Sequence, residues 1–95
     1  MKSGIIKVLN EWIFWIDAEK RLSKNTVDSY KRDLDFFINF LEKSHNKTFS
    51  LEDFEKLNDD DITAWFYERL SKGVTHRSNA RSLSSIKSFM SFLVK

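Results

Sequence analysis

Apolar residues recur at intervals of three and four along four stretches of this chain, the spacing that brings side chains onto one face of an α-helix. The clearest stretch runs from Leu22 to Leu41, and its apolar positions are Val27, Tyr30, Leu34, Phe37, Ile38 and Leu41. Ser23 stands at its start, where a hydroxyl can accept a hydrogen bond from an unpaired amide of the first turn. The pattern predicts a helix from near Lys24 to near Lys43, around which the other helices pack.

Three other helices are predicted from the same spacing. The first covers roughly residues 5–19 and has a wide apolar side. The third is capped by Asn58 and ended by Gly73, and the fourth starts between Thr75 and Arg77 and continues to the last residue. The expected core residues are Ile5, Ile6, Leu9, Trp12, Ile13 and Ile16 on the first helix, Ile62, Trp65, Phe66 and Leu70 on the third, and Ala80, Leu83, Ile86, Met90 and Leu93 on the fourth.

The fold class expected from this pattern is all-α, with one domain over residues 1–95. Proline is absent, and no stretch alternates apolar and polar residues for long enough to predict a strand. Leu51, Phe54 and Leu57 predict a short extra helical turn before the third helix. Nine Phe, three Trp and two Tyr supply enough apolar area for a single core.

Composition excludes several classes of protein. The chain has no cysteine, so neither a disulfide framework nor a thiolate metal site is possible. No apolar run approaches the ~18 residues of a membrane span. Glu11 and Asp17 interrupt the apolar segment near the N-terminus, where a signal peptide would be continuous. We therefore expect a soluble, cytoplasmic protein without a membrane partner.

The net charge is only +2, but the charges are unevenly distributed along the chain. Residues 1–48 carry 9 basic and 7 acidic side chains, residues 49–69 carry 2 and 7, and residues 70–95 carry 5 and none. A polyanion would be attracted to the last segment and repelled by the acidic one before it.

No set of catalytic residues is evident. His45 and His76 are far apart in the sequence, and no glycine-rich loop offers amides to a phosphate. The run Asp59 to Asp61 suits the positive end of a helix dipole better than a cation, because consecutive helical residues point in different directions. Tyr30 lies on the apolar stripe, which favours packing over a nucleophilic role. We predict no metal and no cofactor.

The polar face of the fourth helix is the best candidate for function. Arg77, Arg81, Ser84, Ser85 and Ser88 share this face, and no carboxylate accompanies them. Short hydroxyl side chains can donate to phosphate oxygens, and arginine can bind phosphate or guanine through two parallel hydrogen bonds. Small residues are equally suited to helix packing, so both interpretations stay open.

Three segments resemble the core-binding domain of tyrosine recombinases. Residues 22–41, LSKNTVDSYKRDLDFFINFL, match every fixed position of the signature L-S-x-x-T-x-x-x-Y-x-x-D-L-x-x-F-x-x-F-L. Residues 53–62, DFEKLNDDDI, are similar to the acidic lead into that family's third helix, and residues 77–93, RSNARSLSSIKSFMSFL, to its fourth helix. The resemblance is closest to the Xer-type subgroup, because only about twenty residues precede Leu22 and no separate arm-binding domain is present.

This resemblance implies a four-helix SAM-like fold of two crossed antiparallel pairs, forming one half of a C-shaped clamp around a recombination site. The second and fourth helices would face the major groove of double-stranded DNA, and other recombinase protomers would be partners on that DNA. The isolated domain would be monomeric and not an enzyme, since the family's catalytic residues lie in a C-terminal domain outside this sequence. The residues expected to bind DNA are Ser23, Lys24, Asn25, Thr26, Ser29, Arg77, Ser78, Arg81, Ser84, Ser85, Lys87 and Ser88.

The sequence leaves three questions open. Arg81 could pair with Asp33 across the two helices and play a structural role instead of binding DNA. The chain could also be a helical protein-interaction module that docks through Phe89, Phe92 and the wide apolar side of the first helix, because Phe89 and Phe92 predict an apolar strip that a small core does not cover. The parent protein could resolve chromosome dimers or integrate mobile DNA.

Overall fold

All regular structure in the described part of the chain, residues 3–94 of a computed structural model, is helical. The helices are α1 (Ser3–Ala18), α2 (Lys24–His45), α3 (Leu51–Glu55), α4 (Asp59–Ser71) and α5 (His76–Leu93). The all-α prediction is therefore confirmed, and α3 is the short extra turn expected before the third long helix.

Side-chain caps determine where three of the long helices begin. The Ser23 hydroxyl accepts from the Thr26 amide at 3.2 Å, which starts α2 as predicted. Asn58 caps α4 in the same way through the Asp61 amide, also at 3.2 Å. Thr75 caps α5, and Gly73 takes a φ of +88° just before it, in a region that glycine tolerates best. These caps fix helix starts that apolar spacing alone leaves uncertain by a few residues.

Helix α2 lies at the centre of the domain, in contact with α1, α4 and α5. Its side chains Leu34, Phe37, Ile38 and Leu41 are fully buried. They meet Trp12 of α1, Trp65 of α4 and Phe89 of α5 in one continuous core. Tyr30 stacks on Trp12 with ring centroids 6.3 Å apart, so the packing role predicted for it is confirmed. The signature stretch is thus the scaffold of the fold.

The buried face of α5 differs from the predicted one by about a quarter of a helical turn. Its buried residues are Asn79, Ser82, Ser85, Ile86 and Phe89, whereas Ala80 is exposed and Leu83, Met90 and Leu93 are only half-buried. Small side chains at 82 and 85 permit close approach to a neighbouring helix. Their hydroxyls donate to the carbonyls of Ser78 and Ser82, at 3.0 and 2.7 Å, so burial leaves neither unpaired.

The predictions for α1 and α4 need smaller corrections. Trp65 is the one buried residue of α4 among the four expected, and Ile62, Phe66 and Leu70 are half-buried. On α1, Ile6 is exposed and Ile13 is half-buried, while Ile5, Leu9, Trp12 and Ile16 are buried as expected. A helix at the edge of a small domain buries a narrower stripe than its sequence offers.

The proposed apolar strip of Phe89 and Phe92 is wrong for Phe89, which is fully buried. Phe92 is half-buried, and its ring centroid lies 5.4 Å from that of Trp15. The most exposed large aromatic residues are Phe14 on α1 and Tyr67 on α4. No helix within residues 3–94 is long and apolar enough to cross a membrane.

Candidate nucleic-acid interface

A polar stripe runs along α5 and consists of Arg77, Arg81, Ser84 and Ser88, residues whose spacing of four, three and four keeps them on one face. The first three are exposed, and Ser88 is half-buried. Residues 70–95 contain no carboxylate. The stripe therefore presents arginine and hydroxyl donors from one helix with no acidic side chain of that helix beside them.

Lys87 lies beside this stripe, next to a shallow cavity of about 380 Å³ between α5 and the end of α1. The cavity is lined by Trp15, Lys20, Ser84, Lys87, Ser88 and Ser91. Lys20 follows α1, and its ammonium group lies 5.0 Å from the centroid of the Trp15 ring. Sequence reasoning missed Lys20, because its proximity to α5 depends on how α1 packs.

The first turn of α2 supplies the second group of candidate residues. Ser23, Lys24 and Asn25 are exposed, whereas Thr26 and Ser29 are half-buried. The Ser23 and Thr26 hydroxyls are 2.9 Å apart and form a hydrogen bond within the cap. Lys24 thus supplies an exposed cation here, while the Ser23 and Thr26 hydroxyls already form hydrogen bonds within the N-cap of α2.

Two tertiary contacts join the stripe on α5 to the rest of the domain. The Trp12 indole Nε1 donates to the Ser88 hydroxyl oxygen at 3.1 Å. Ser88 is the acceptor in this hydrogen bond, so its own hydroxyl proton can be donated to another partner. The Arg81 guanidinium donates to both carboxylate oxygens of Asp33, from Nε at 3.2 Å and from Nη2 at 3.0 Å. The Asp33 pairing considered from the sequence is therefore present.

Ser85 does not belong to the exposed stripe. It is fully buried, and its hydroxyl lies 3.4 Å from Asp33 Oδ2 as well as donating to Ser82. A side chain in this position cannot reach a ligand outside the domain, so the prediction that Ser85 contacts DNA is corrected. Ser78 is half-buried about a quarter turn from the stripe, and its hydroxyl accepts from that of Thr75 at 3.2 Å.

Arg69 of α4 is a further polar residue that sequence reasoning missed. Its Nη1 donates to the Ser82 hydroxyl at 2.6 Å and lies 4.0 Å from Asp33 Oδ1. Its guanidinium also lies over the Trp65 ring, 4.5 Å from the centroid. Burial lowers the pKa of Arg69, an effect that Asp33 opposes and Arg81 reinforces.

The chemistry available at this surface is hydrogen bonding and charge attraction. Arginine and lysine donors with interspersed hydroxyls suit an array of phosphate oxygens. Tyr30 is held against Trp12 in the core and is not exposed on the stripe. Within residues 3–94, no three His, Asp or Glu side chains converge on a possible metal position.

Comparison with known proteins identifies relatives over nearly the whole chain. Tyrosine recombinase XerD of Oceanobacillus iheyensis is 32% identical over 87 residues, which cover 92% of this chain and 28% of the relative. Tyrosine recombinase XerC of Nitrobacter winogradskyi is 33% identical over 91 residues, covering 96% of this chain and 28% of the relative. XerC of Rickettsia prowazekii is 30% identical over 92 residues, covering 97% and 30%.

The chain spans less than a third of the length of these curated relatives. No solved structure matches it at a significant level. Residues 9–95 match the family described as phage integrase, N-terminal SAM-like domain, which includes four of the five helices in full and most of α1. The chain therefore belongs to the phage integrase N-terminal SAM-like domain family.

Proposed function

We propose that this chain is the DNA-binding domain of a site-specific tyrosine recombinase and that it clamps one half of a recombination site. The observation that carries the proposal is the stripe on α5, a helix without an acidic side chain, with Arg77, Arg81 and Ser84 exposed. Relatives named as tyrosine recombinases support the same assignment. The partners are double-stranded DNA and further recombinase protomers assembled on it.

Docking is electrostatic in this proposal. Arg77, Arg81, Lys24 and Lys87 neutralise phosphates, while Thr26 and the exposed serines of α5 fix the register by hydrogen bonds to the DNA backbone. Helices α2 and α5 face the major groove, where an arginine can also read a guanine edge. Strand cleavage and exchange belong to a catalytic domain elsewhere in the parent protein, for chromosome dimer resolution or integration of mobile DNA.

A salt titration tests this proposal. Fluorescence anisotropy of a labelled mixed-sequence duplex measures the affinity of the chain at several salt concentrations. About three to five neutralised phosphates give a slope of log K against log salt of about −3 to −5, with a Kd of about 10⁻⁴ to 10⁻⁶ M for an isolated module. Absence of salt-dependent binding at low ionic strength would overturn the proposal.

Matched single-charge variants locate the surface. Arg77→Gln removes one exposed cation from the stripe and is expected to weaken binding and reduce the slope by about 0.9. Lys56→Gln removes one exposed cation beside α3, within the acidic segment of residues 49–69. It is expected to leave both quantities nearly unchanged. Equal losses in the two variants would show attraction by net charge alone and contradict a defined surface.

The structure supports the alternative function, a protein-interaction module, less well than the sequence pattern does. This alternative depended on Phe89, Phe92 and the wide apolar side of the first helix. Phe89 is fully buried and Phe92 packs on Trp15, whereas Ile6 and Phe14 of α1 are exposed. Phe36 and Tyr67 are exposed on other helices as well, and scattered exposed apolar side chains are common on protein surfaces.

A further inference from the structure

We propose that Asp33 is a positioning residue for DNA binding, because it holds the Arg81 guanidinium in a fixed orientation at the protein surface. The inference rests on the proposed DNA-binding function and adds to it a buried residue that never touches the ligand. Asp33 is only 2% exposed, on the central helix α2, whereas the Arg81 side chain is 46% exposed.

The geometry of this pair restrains the guanidinium at two points. Both Asp33 oxygens accept from Arg81, one from Nε and one from Nη2. Two parallel hydrogen bonds fix the plane of a guanidinium, which a single contact does not. Arginine has five N–H donors, so about three stay unengaged by Asp33 and are available to a phosphate.

Asp33 does not cancel the positive charge of the site, because two guanidinium groups share its one carboxylate. Arg69 lies 4.0 Å from Asp33 Oδ1 with its side chain only 14% exposed. Asp33, Arg69 and Arg81 together carry a formal charge of +1. Arg81 is the most exposed member of this triad, so the excess charge faces solvent through its guanidinium.

Restraint also lowers the entropic cost of binding. An arginine side chain carries large rotamer freedom, and ordering such a chain at an interface weakens binding by about 2- to 10-fold. Asp33 imposes that order before DNA arrives, since the Arg81 fork is already fixed in the free domain. A purely structural role, joining α2 to α5, would instead affect folding and leave the affinity of the folded domain unchanged.

Four proteins distinguish these roles: wild type, Asp33→Asn, Arg81→Lys and the double variant. Affinity and salt slope are measured by anisotropy, at a temperature where circular dichroism shows each protein folded. We expect Asp33→Asn to weaken binding by about 2- to 10-fold although it removes a negative charge, which by Coulomb attraction alone would strengthen binding.

Arg81→Lys retains the charge but cannot form two parallel hydrogen bonds with Asp33. We expect a similar loss for this variant, and no further loss when Asp33→Asn is added to it. Unchanged or tighter binding by Asp33→Asn, or full affinity in Arg81→Lys, overturns the positioning role. If Asp33→Asn does not fold, the affinity of Arg81→Lys alone tests the positioning role, and full affinity overturns it. Absence of salt-dependent binding by the wild type would instead refute DNA binding itself.

Discussion

Substitution of Phe37 by alanine tests whether α2 carries the core of this domain. The Phe37 ring is 0% exposed, and its centroid lies 5.0 Å from that of Trp65 on α4. A buried aromatic side chain removes about 150–250 Å² from water, equivalent to about 4–6 kcal/mol at about 25 cal/mol per Å². Phe→Ala substitutions in cores cost about 3–5 kcal/mol, out of a total stability of about 5–15 kcal/mol. We expect Phe37→Ala to lower the free energy of unfolding by about 3–5 kcal/mol.

The neighbouring Phe36 provides a matched control, because it is 55% exposed on the same helix. Phe36→Ala removes the same atoms and should cost only about 2 kcal/mol, since less than half of the area of the Phe36 ring leaves water on folding. Urea unfolding followed by circular dichroism measures the free energy of unfolding of both variants. With a slope of about 1.5 kcal/mol per M, the Phe37→Ala midpoint should fall by about 2 M or more. Equal costs for the two variants would refute the register of α2 described above.

Two further predictions concern the caps and turns. The Lys47 ammonium and the Ser50 backbone and hydroxyl groups lower the pKa of Asp53 to about 2 from an ordinary value of 3.8. This carboxylate therefore stabilises the fold fully above pH 3.8 and loses that contribution as the pH falls towards 2. In Asp53→Asn, stability measured from urea midpoints should fall less steeply between pH 3.8 and pH 2 than in the wild type. The same pH dependence in both proteins would contradict this prediction. Gly73→Ala should lower stability by about 1 kcal/mol, because Gly73 has a φ of +88°. Gly4→Ala should raise stability by about 0.5 kcal/mol, because Gly4 lies inside α1 with nothing within 4 Å of the new Cβ. Thermal melting temperatures that shift in the same direction in both variants would refute this contrast.

Helix positions were predictable from sequence because each long helix combines apolar spacing with a recognisable start or stop. Ser23, Asn58 and Gly73 marked boundaries that the structure reproduces within a few residues. The face of α5 was not predictable in this way. Apolar spacing selects Leu83 and Met90, but the core takes Ser82 and Ser85, whose small size and helix-bonded hydroxyls permit burial.

The candidate interface was predictable only in part. Charge counts and spacing selected Arg77 and Ser84, which are exposed on the stripe. Burial of Ser85 and the pairing of Asp33 with Arg81 depend on the distance between two helices far apart in sequence, which no local pattern encodes. Lys20 comes near the stripe for the same reason, through the packing of α1.

The hydrogen bond from the Trp12 indole to Ser88 provides a resonance that can report on the stripe without any label on the DNA. The chain has three tryptophans, so a ¹⁵N-labelled sample gives three indole N–H signals. The proton of Trp12 lies against an oxygen of the stripe, and its chemical shift will follow any change in what Ser88 bonds. The Trp65 indole, buried between α2 and α4, serves as an internal reference in the same spectrum.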